Sequence, residues 1–264
     1  MAYEDIIVER SEHALEITLN RPDKLNAMRE QTAVEIMDAM DGAERDRKIV
    51  AVIFRGSDRA FCTGVDTSEF KEKPEERFDI YRARKRTRKM GAMMRFVVNY
   101  TKPVVSAIEG LALGGGLELA MFGDIVVCGE GAELGLPEAR LGLMPGGGGT
   151  QNLPRLIGAP LAKELMWTGR RIPAAEAKAY RLCNHVVPKG QAMEKAREIV
   201  GQIAKNSQLS VMVVKQAVNR GLDMSLANGV ATEADLFYLL TFSDDREEGL
   251  EAFREKRKPN FKGS

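Results

Sequence analysis

The sequence predicts an α/β fold with a helical C-terminal region. Short apolar runs alternate with helical patterns over the first two thirds of the chain, whereas the last third is helical in period throughout. Hydrophobic residues make up 44% of the 264 residues, enough for a sizeable core. We therefore expect a core over residues 1–190 and a helical region over residues 191–264.

The N-terminal elements follow from apolar runs and the turns between them. Residues 3–9 and 15–20 are predicted to be two strands separated by a polar turn. Residues 30–47 place apolar side chains at helical spacing, with acidic residues on the opposite face. Residues 50–54 form a compact apolar strand, and residues 56–66 are predicted to be a loop with an apolar insert.

The middle of the chain is divided by proline and glycine. Residues 77–100 have the pattern of one long helix or a broken pair, ended by Pro103. Further elements are predicted in the order strand, helix, strand, helical turn and helix, at residues 104–108, 117–122, 124–128, 137–140 and 150–157. The remaining pattern is helical, at residues 161–167, 174–180, 192–205, 210–220, 227–240 and 247–253.

The composition excludes several classes of protein. Lys and Arg total 39 against 38 acidic residues, so no net charge favours nucleic acid or a membrane. Three cysteines without paired spacing fit a reducing compartment, and we expect a cytoplasmic protein. No apolar signal core or membrane-spanning run is visible. With only two histidines and no closely spaced cysteines, we expect no metal site.

Glycine is concentrated where the chemistry is expected. About half of the 25 glycines lie between Gly110 and Gly149, but neither a P-loop nor a dinucleotide-binding fingerprint is present. The triplet at residues 114–116 precedes an apolar helix. Free amides at a helix N-terminus stabilise developing negative charge, so this triplet is a candidate oxyanion hole.

Two glutamates lie among apolar and glycine neighbours in this region, Glu118 and Glu138. A buried carboxylate is costly unless it is paired or functional, and two in one pocket can take opposite acid and base roles. The alternative is that Glu118 is a surface helix residue and Glu138 caps a helix. The pattern alone leaves both interpretations open.

Four separated segments, in the right order, resemble the crotonase superfamily, that is, the enoyl-CoA hydratase/isomerase family. The glycine-rich region contributes GGGLELA, LGLPE and LGLMPGGGGTQ at residues 114–120, 134–138 and 141–151. The others are LNRPDKLNAM, FCTGVD and AFREKRKPNF at residues 19–28, 61–66 and 252–261. The resemblance covers nearly the whole chain. It implies a spiral of repeated ββα units, with two roughly perpendicular sheets and a helical C-terminal region for trimerisation and pocket closure.

The resemblance also implies roles for single residues. The amides of Val65 and Gly115 would hold the thioester oxygen of an acyl-CoA. Glu118 and Glu138 match the two glutamates that act on water and on the α-carbon, and Gly146 matches a glycine lining the water site. Binding of the CoA portion is expected at Lys24, Leu25, Asp66, Phe253 and Lys256, with the last two reaching a neighbouring subunit.

The function implied is reversible hydration of a trans-2-enoyl-CoA to a 3-hydroxyacyl-CoA. Such a hydro-lyase would serve fatty acid metabolism by β-oxidation. No cofactor is expected, because coenzyme A is part of the substrate, and the assembly implied is a homotrimer or homohexamer. The alternatives are a double-bond isomerase, or a specialised dehydratase or CoA-ester hydrolase of the same family.

Three departures from the hydratase pattern bear on the substrate and the CoA phosphate contacts. Leu134 and Leu136 replace the usual Phe and Gln, Asn152 replaces an Arg, and no Lys follows Asp66 closely. The basic run RARKRTRK at residues 82–89 is interpreted as a solvated helix face balanced by acids at residues 69–79. The other interpretations are contact with CoA phosphates and binding of RNA.

Overall fold

The computed structural model describes residues 3–70 and 79–264, and two sheets organise them. Strands β1 to β10 span Ile6–Arg10, Ala14–Leu19, Ala51–Arg55, Ala60–Cys62, Val104–Ile108, Leu111–Leu113, Ile125–Gly129, Glu133–Gly135, Ile172–Pro173 and His185–Val187. The larger sheet has the order β1-β2-β3-β5-β7-β10, and the smaller has the order β4-β6-β8-β9. Within these described strands, only β1 and β9 run antiparallel to their neighbours.

Ten α-helices complete the described part of the chain. They span Glu30–Arg45, Ile80–Val98, Gly115–Met121, Gly149–Ile157, Ala159–Thr168, Ala174–Ala179, Ala192–Ile203, Gln208–Gly221, Leu226–Leu240 and Asp244–Glu255, named α1 to α10. The chain therefore repeats a ββα unit, from β1-β2-α1 to β7-β8-α4. In every unit after the first, one strand joins the larger sheet and the next joins the smaller.

The core lies on both faces of the larger sheet. One face packs α1 and α2, including Ile36 and Met93, against Ile17 and Phe54. The other face is covered by α7, whose alanine, isoleucine and valine side chains meet β3, β5 and β7. The helical region therefore starts as part of the core, and the division at residue 190 stays a prediction.

The last three helices, α8 to α10, bury few of their side chains. Helices α8 and α9 pack on each other and leave many large apolar side chains exposed, among them Val218, Leu226 and Phe237. The chain end is held by Asp245, whose buried carboxylate accepts hydrogen bonds from the Lys262 and Gly263 N–H groups at 2.7 and 3.0 Å.

The predicted helices and long strands are confirmed, with ends shifted by a few residues. Residues 56–66, predicted as a loop, contain β4, and the strands β6, β8, β9 and β10 were not predicted. Each of these five strands has only two or three residues, too few to show an alternating pattern. The start of the helix predicted at residues 77–100 partly lies outside the described residues, and α2 is described from Ile80.

Candidate active site

Three parallel strands of the smaller sheet end at one place. β4 leads into Gly64 and Val65, β6 leads into Gly114 and Gly115, and β8 leads into Glu138. The carboxyl ends of parallel strands lie on the same edge of a sheet, which is where α/β folds bind ligands. The short strands therefore bring together residues from three segments that are far apart in the sequence.

The backbone amides of Val65 and Gly115 are free to bind a ligand. Neither donates a hydrogen bond to another group in the described residues, although Met28, Asp66 and Gly114 next to them do donate. The segments lie in contact, because a Cβ on Gly115 would be 3.3 Å from Val65 Cγ2. Two unpaired donors on adjoining segments can grip one oxygen atom.

A close backbone contact fixes the start of α3. A Cβ on Gly116 would lie 2.2 Å from the carbonyl oxygen of Cys62, so only glycine lets α3 approach β4 this closely. Gly114 has φ +53°, a left-handed conformation that glycine adopts without strain. The triplet thus sets where the helix N-terminus points.

Glu118 lies on α3 and is 4% exposed. Its Oε1 accepts hydrogen bonds from the N–H groups of Gly147 and Gly149, both at 2.8 Å. Burial raises the pKa of this carboxyl, and the N–H groups of Gly147, Gly148 and Gly149 oppose the rise. The carboxylate is therefore oriented by main chain, and the interpretation as a surface helix residue is wrong.

Glu138 follows β8 and begins a short 3-10 turn, Glu138–Leu141. Its Oε2 is buried and has no hydrogen-bond partner among the described residues. Burial raises the pKa of Glu138 to about 7, and the charge of Glu118 adds to the rise. Near neutral pH this carboxyl can hold a proton and release it.

One cavity of about 620 Å³ contains both carboxyl groups. Five of the predicted site residues line this cavity, namely Val65, Gly115, Glu118, Glu138 and Gly146. A Cβ on Gly146 would meet nothing within 4 Å, so the cavity is open at that point. The remaining wall includes apolar and basic residues, among them Met90, Met94, Leu141, Leu143, Met144, Arg84, Arg88 and Arg95.

The predicted CoA-binding residues of the first turn lie outside this lining. Lys24 is exposed, while the Leu25 carbonyl accepts 3.2 Å hydrogen bonds from the Thr63 backbone N–H and hydroxyl. Asp66 is buried, and its carboxylate pairs with Arg21 Nη2 at 2.9 Å. Hydrogen bonds from Ser68 and the Arg21 charge lower the pKa of Asp66 to about 2. Both the carboxylate and the backbone N–H of Asp66 are therefore engaged within the fold.

The two predicted C-terminal residues also lie away from the cavity. Phe253 on α10 is 84% exposed, and Lys256 caps that helix in a left-handed conformation with φ +57°. Both remain accessible to another molecule, and their proposed contact with a neighbouring subunit stays a prediction.

Sequence reasoning missed two groups of cavity residues. Gly147 and Gly149 hold Glu118 by their amides, and the only signal was the glycine run itself. Arg84, Arg88 and Arg95 line the cavity and are also exposed, so the solvated basic face of α2 borders the cavity. Of the acids predicted to balance it, Asp79 pairs with Arg82 at 3.3 Å, while residues 71–78 lie outside the described residues.

Two further classes of site receive no support from the part of the chain that the structure describes. It holds no cluster of three or more histidine, cysteine or acidic side chains arranged to bind a metal ion. No helix in residues 3–70 and 79–264 combines the length and apolarity needed to cross a membrane.

Comparison with known proteins gives a consistent result. The family described as enoyl-CoA hydratase/isomerase matches residues 9–264. A 2,3-dehydroadipyl-CoA hydratase of Escherichia coli K12 is 37% identical over 98% of this chain and 99% of its own length. A crotonyl-CoA hydratase of Syntrophomonas wolfei is 38% identical over 99% of each chain.

Solved structures agree with the sequence relatives. The crystal structure of an enoyl-CoA hydratase from Bacillus anthracis has a TM-score of 0.93 at 38% identity, covering 99% of this chain and 100% of that one. The predicted α/β fold of ββα units with a helical C-terminal region is confirmed, as is the prediction of an enzyme. The chain belongs to the enoyl-CoA hydratase/isomerase family of the crotonase superfamily.

Proposed function

We propose that this protein catalyses the reversible hydration of a trans-2-enoyl-CoA to a 3-hydroxyacyl-CoA. The observation that carries the proposal is the presence of a buried carboxyl group, a half-buried carboxyl group and two free backbone amides in one cavity. The names of the full-length relatives, a dehydroadipyl-CoA hydratase and a crotonyl-CoA hydratase, support enoyl-CoA hydration in general.

The amides of Val65 and Gly115 would hold the thioester carbonyl oxygen. Addition of water across a conjugated double bond moves negative charge onto this oxygen, and the amides face it with fixed dipoles. Each such donor is worth about 10²–10³ in rate. The N-terminus of α3 adds its dipole in the same direction.

The two glutamates would divide the proton transfers. Glu118, an anion supported by the Gly147 and Gly149 amides, takes a proton from water as the water oxygen bonds to C3. Glu138 gives its proton to C2, because its raised pKa keeps it partly protonated at neutral pH. The open space at Gly146 leaves room for the water.

After one turnover Glu118 carries a proton and Glu138 has lost one. Return of both protons through solvent resets the site, and running the same steps backward dehydrates a 3-hydroxyacyl-CoA. The addition is redox-neutral, so we propose that coenzyme A enters only as part of the substrate.

The CoA portion and the assembly form a second part of the proposal. We assign CoA contacts to Lys24, Leu25 and Asp66, and to Phe253 and Lys256 reaching a neighbouring subunit. The exposed apolar residues of α8 and α9 favour a homotrimer or homohexamer, because large contiguous apolar surface is typical of an interface. We place the enzyme in the cytoplasm, in fatty acid metabolism by β-oxidation.

Enoyl-CoA thioesters of different acyl chains test the activity, read by loss of absorbance of the conjugated thioester. We expect turnover by the wild type and by Glu130→Gln, a matched carboxyl-to-amide change at an exposed residue. We expect no comparable turnover by Glu138→Gln. Binding of RNA in a gel shift, with no hydration of any thioester, would instead favour the RNA-binding interpretation of the basic run.

A further inference from the structure

One face of helix α2 forms a basic wall of the cavity. Arg84, Arg88, Gly91 and Arg95 all line it, at spacings of four, three and four residues. Such spacings place side chains on one side of a helix. The Arg95 guanidinium lies over Gly91, because a Cβ there would be in ordinary contact with Arg95 Nη1, at 3.5 Å. The Arg95 side chain therefore lies along the wall of the cavity. We call the three arginines of this face the arginine stripe.

The arginine stripe is not neutralised by the residues that the structure describes. No ion pair joins Arg84, Arg88 or Arg95 to any carboxylate in that part of the chain. The two other charged residues at that wall, Arg29 and Glu30, each have a partner of opposite charge. Arg29 pairs with Glu4 and Asp5, and Glu30 lies 3.6 Å from Lys89.

The wall that α2 contributes to the cavity comes closest to Glu118 at Met94. A Cβ on Gly147 would be 2.7 Å from Glu118 Oε2 and 3.2 Å from Met94 Cε, so Met94 adjoins the proposed water-activating group. Arg88 lies six residues earlier on α2, about 9 Å along the axis at 1.5 Å per residue. Met90 fills the interval with an apolar side chain.

This order matches the order of groups along one kind of acyl chain. With the thioester oxygen at the two amides, C2 and C3 lie at the glutamates. The chain beyond C3 then continues past Glu118 toward Met94 and Met90. An apolar stretch followed by guanidinium groups suits methylene groups followed by an anion.

We propose that the arginine stripe binds a carboxylate at the far end of the acyl chain, so that the preferred substrates are enoyl-CoA thioesters of dicarboxylic acids. This inference rests on the proposed function, because it places C2 and C3 of the substrate at the glutamates. The positive charge of three guanidinium groups offsets the desolvation of a substrate carboxylate, whereas a methyl group at the same place would gain nothing from them.

Two thioesters of equal length test the preference. The wild type should hydrate 2-hexenedioyl-CoA with a KM at least about tenfold below that for 2-hexenoyl-CoA, a difference that one charge-assisted contact can supply. Arg88→Gln and Arg95→Gln should each raise the KM for 2-hexenedioyl-CoA and leave that for 2-hexenoyl-CoA unchanged. Lys85→Gln, on the same helix but outside the cavity lining, is the control that removes an equal charge.

Three results would overturn the proposal. Equal KM increases for both thioesters in the arginine variants would show that the stripe binds the phosphates of CoA. No change in either variant would show a solvated face. A wild-type preference for 2-hexenoyl-CoA would contradict a site for an anion.

Binding of saturated thioesters separates this inference from the proposed function. Adipyl-CoA and hexanoyl-CoA cannot be hydrated, so their dissociation constants report recognition alone. Tighter binding of adipyl-CoA that is lost in Arg88→Gln would support the stripe even if no enoyl-CoA is hydrated. Equal binding of the two, with normal hydration of 2-hexenoyl-CoA, would overturn the stripe and leave the hydratase function intact.

Discussion

The backbone N–H of Gly147 donates a 2.8 Å hydrogen bond to Oε1 of Glu118, joining a loop to a helix that is 29 residues earlier. The bond does two things at once. It orients a buried carboxylate toward the cavity, and it stabilises the anion that a general base requires. Glu138 has no such donor on its buried oxygen among the described residues, and this difference sets the two carboxyl groups apart.

Replacing either glutamate by glutamine should lower kcat by at least about 10²-fold, with binding of CoA intact. In Glu118→Gln the side-chain amide oxygen can still accept from Gly147 and Gly149, so the fold should be kept. Hydration kinetics and thermal melting check both points. Near-normal hydration would remove that residue from the mechanism. Loss of hydration with retained double-bond migration in Glu118→Gln would favour the isomerase.

The pH dependence of kcat/KM should be bell-shaped. Activity should fall on the alkaline side with an apparent pKa near 7, because Glu138 must carry a proton to act as the acid. It should fall on the acid side when Glu118 is protonated. In Glu138→Gln the residual rate should lose the alkaline limb. An alkaline limb retained at the same pKa would assign it to another group.

Glu138 should also make the fold less stable at alkaline pH. Its pKa is raised from 4.5 to about 7 in the folded state, so its contribution to stability is complete below 4.5 and is lost as the pH rises through 7. The Tm of Glu138→Gln relative to wild type should therefore be higher at pH 8 than at pH 5. An equal Tm difference at both pH values, or the same trend in Glu130→Gln, would contradict this.

The Val65 amide can be tested without altering the chemistry of a side chain. Val65→Ala keeps the N–H and should keep most activity. Val65→Pro removes the N–H, which makes no bond within the described fold, and should lower kcat by about 10²–10³. Circular dichroism confirms folding of both variants. A folded Val65→Pro enzyme with the parent rate would show that this amide does not hold the thioester oxygen.

Substitutions at three glycines should distinguish a role in packing from a role in catalysis. Gly116→Ala places a Cβ 2.2 Å from the Cys62 carbonyl oxygen and should lower the free energy of unfolding by at least about 1–3 kcal/mol. Gly146→Ala meets no atom within 4 Å, so it should melt like wild type while filling the water space and lowering kcat. Gly115→Val should abolish turnover with the fold largely intact, because its side chain crowds Val65. Urea unfolding and hydration rates check all three.

The C-terminal residues should act on CoA binding rather than on the chemical step. Phe253→Ala and Lys256→Gln should raise KM for CoA esters, and Phe253→Ala should weaken the oligomer in sedimentation. Both sites are exposed, so folding should not change. Deleting residues 251–264 should have both effects, but it also removes the amide partners of buried Asp245. Unchanged KM and sedimentation in the point variants would contradict a role between subunits.

Periodicity was sufficient to predict the longer elements because each buries one continuous face. Helix α1 and strand β2 carry their apolar pattern over 16 and 6 residues. Strands β6 and β8 have three residues each and are specified by their neighbours in the sheet, which no local pattern contains. Whether an element could be predicted from the sequence therefore depended on its length.

The candidate site likewise has features that were visible in the sequence and features that depend on the packing of distant segments. The glycines and Glu118 were visible as an unusual local composition, and the resemblance gave Val65 its role. The bond between Glu118 and Gly147 was not visible, because it depends on how α3 meets a distant loop. The cavity side of α2 was not visible either: Arg88 and Lys85 belong to one basic run, and only packing shows which of them lines the cavity.

The amides of Val65 and Gly115 belong to the main chain, and this affects how the sequence of the enzyme can diverge. A change of side chain at Val65 leaves its N–H in place, so we expect the proposed oxyanion site to tolerate substitutions there other than proline. The wall that we propose selects the acyl group lies on one helix, α2, whose side chains can be exchanged singly. We therefore expect that substitutions on α2 can change the substrate range while the backbone donors at the ends of β4 and β6 stay unchanged.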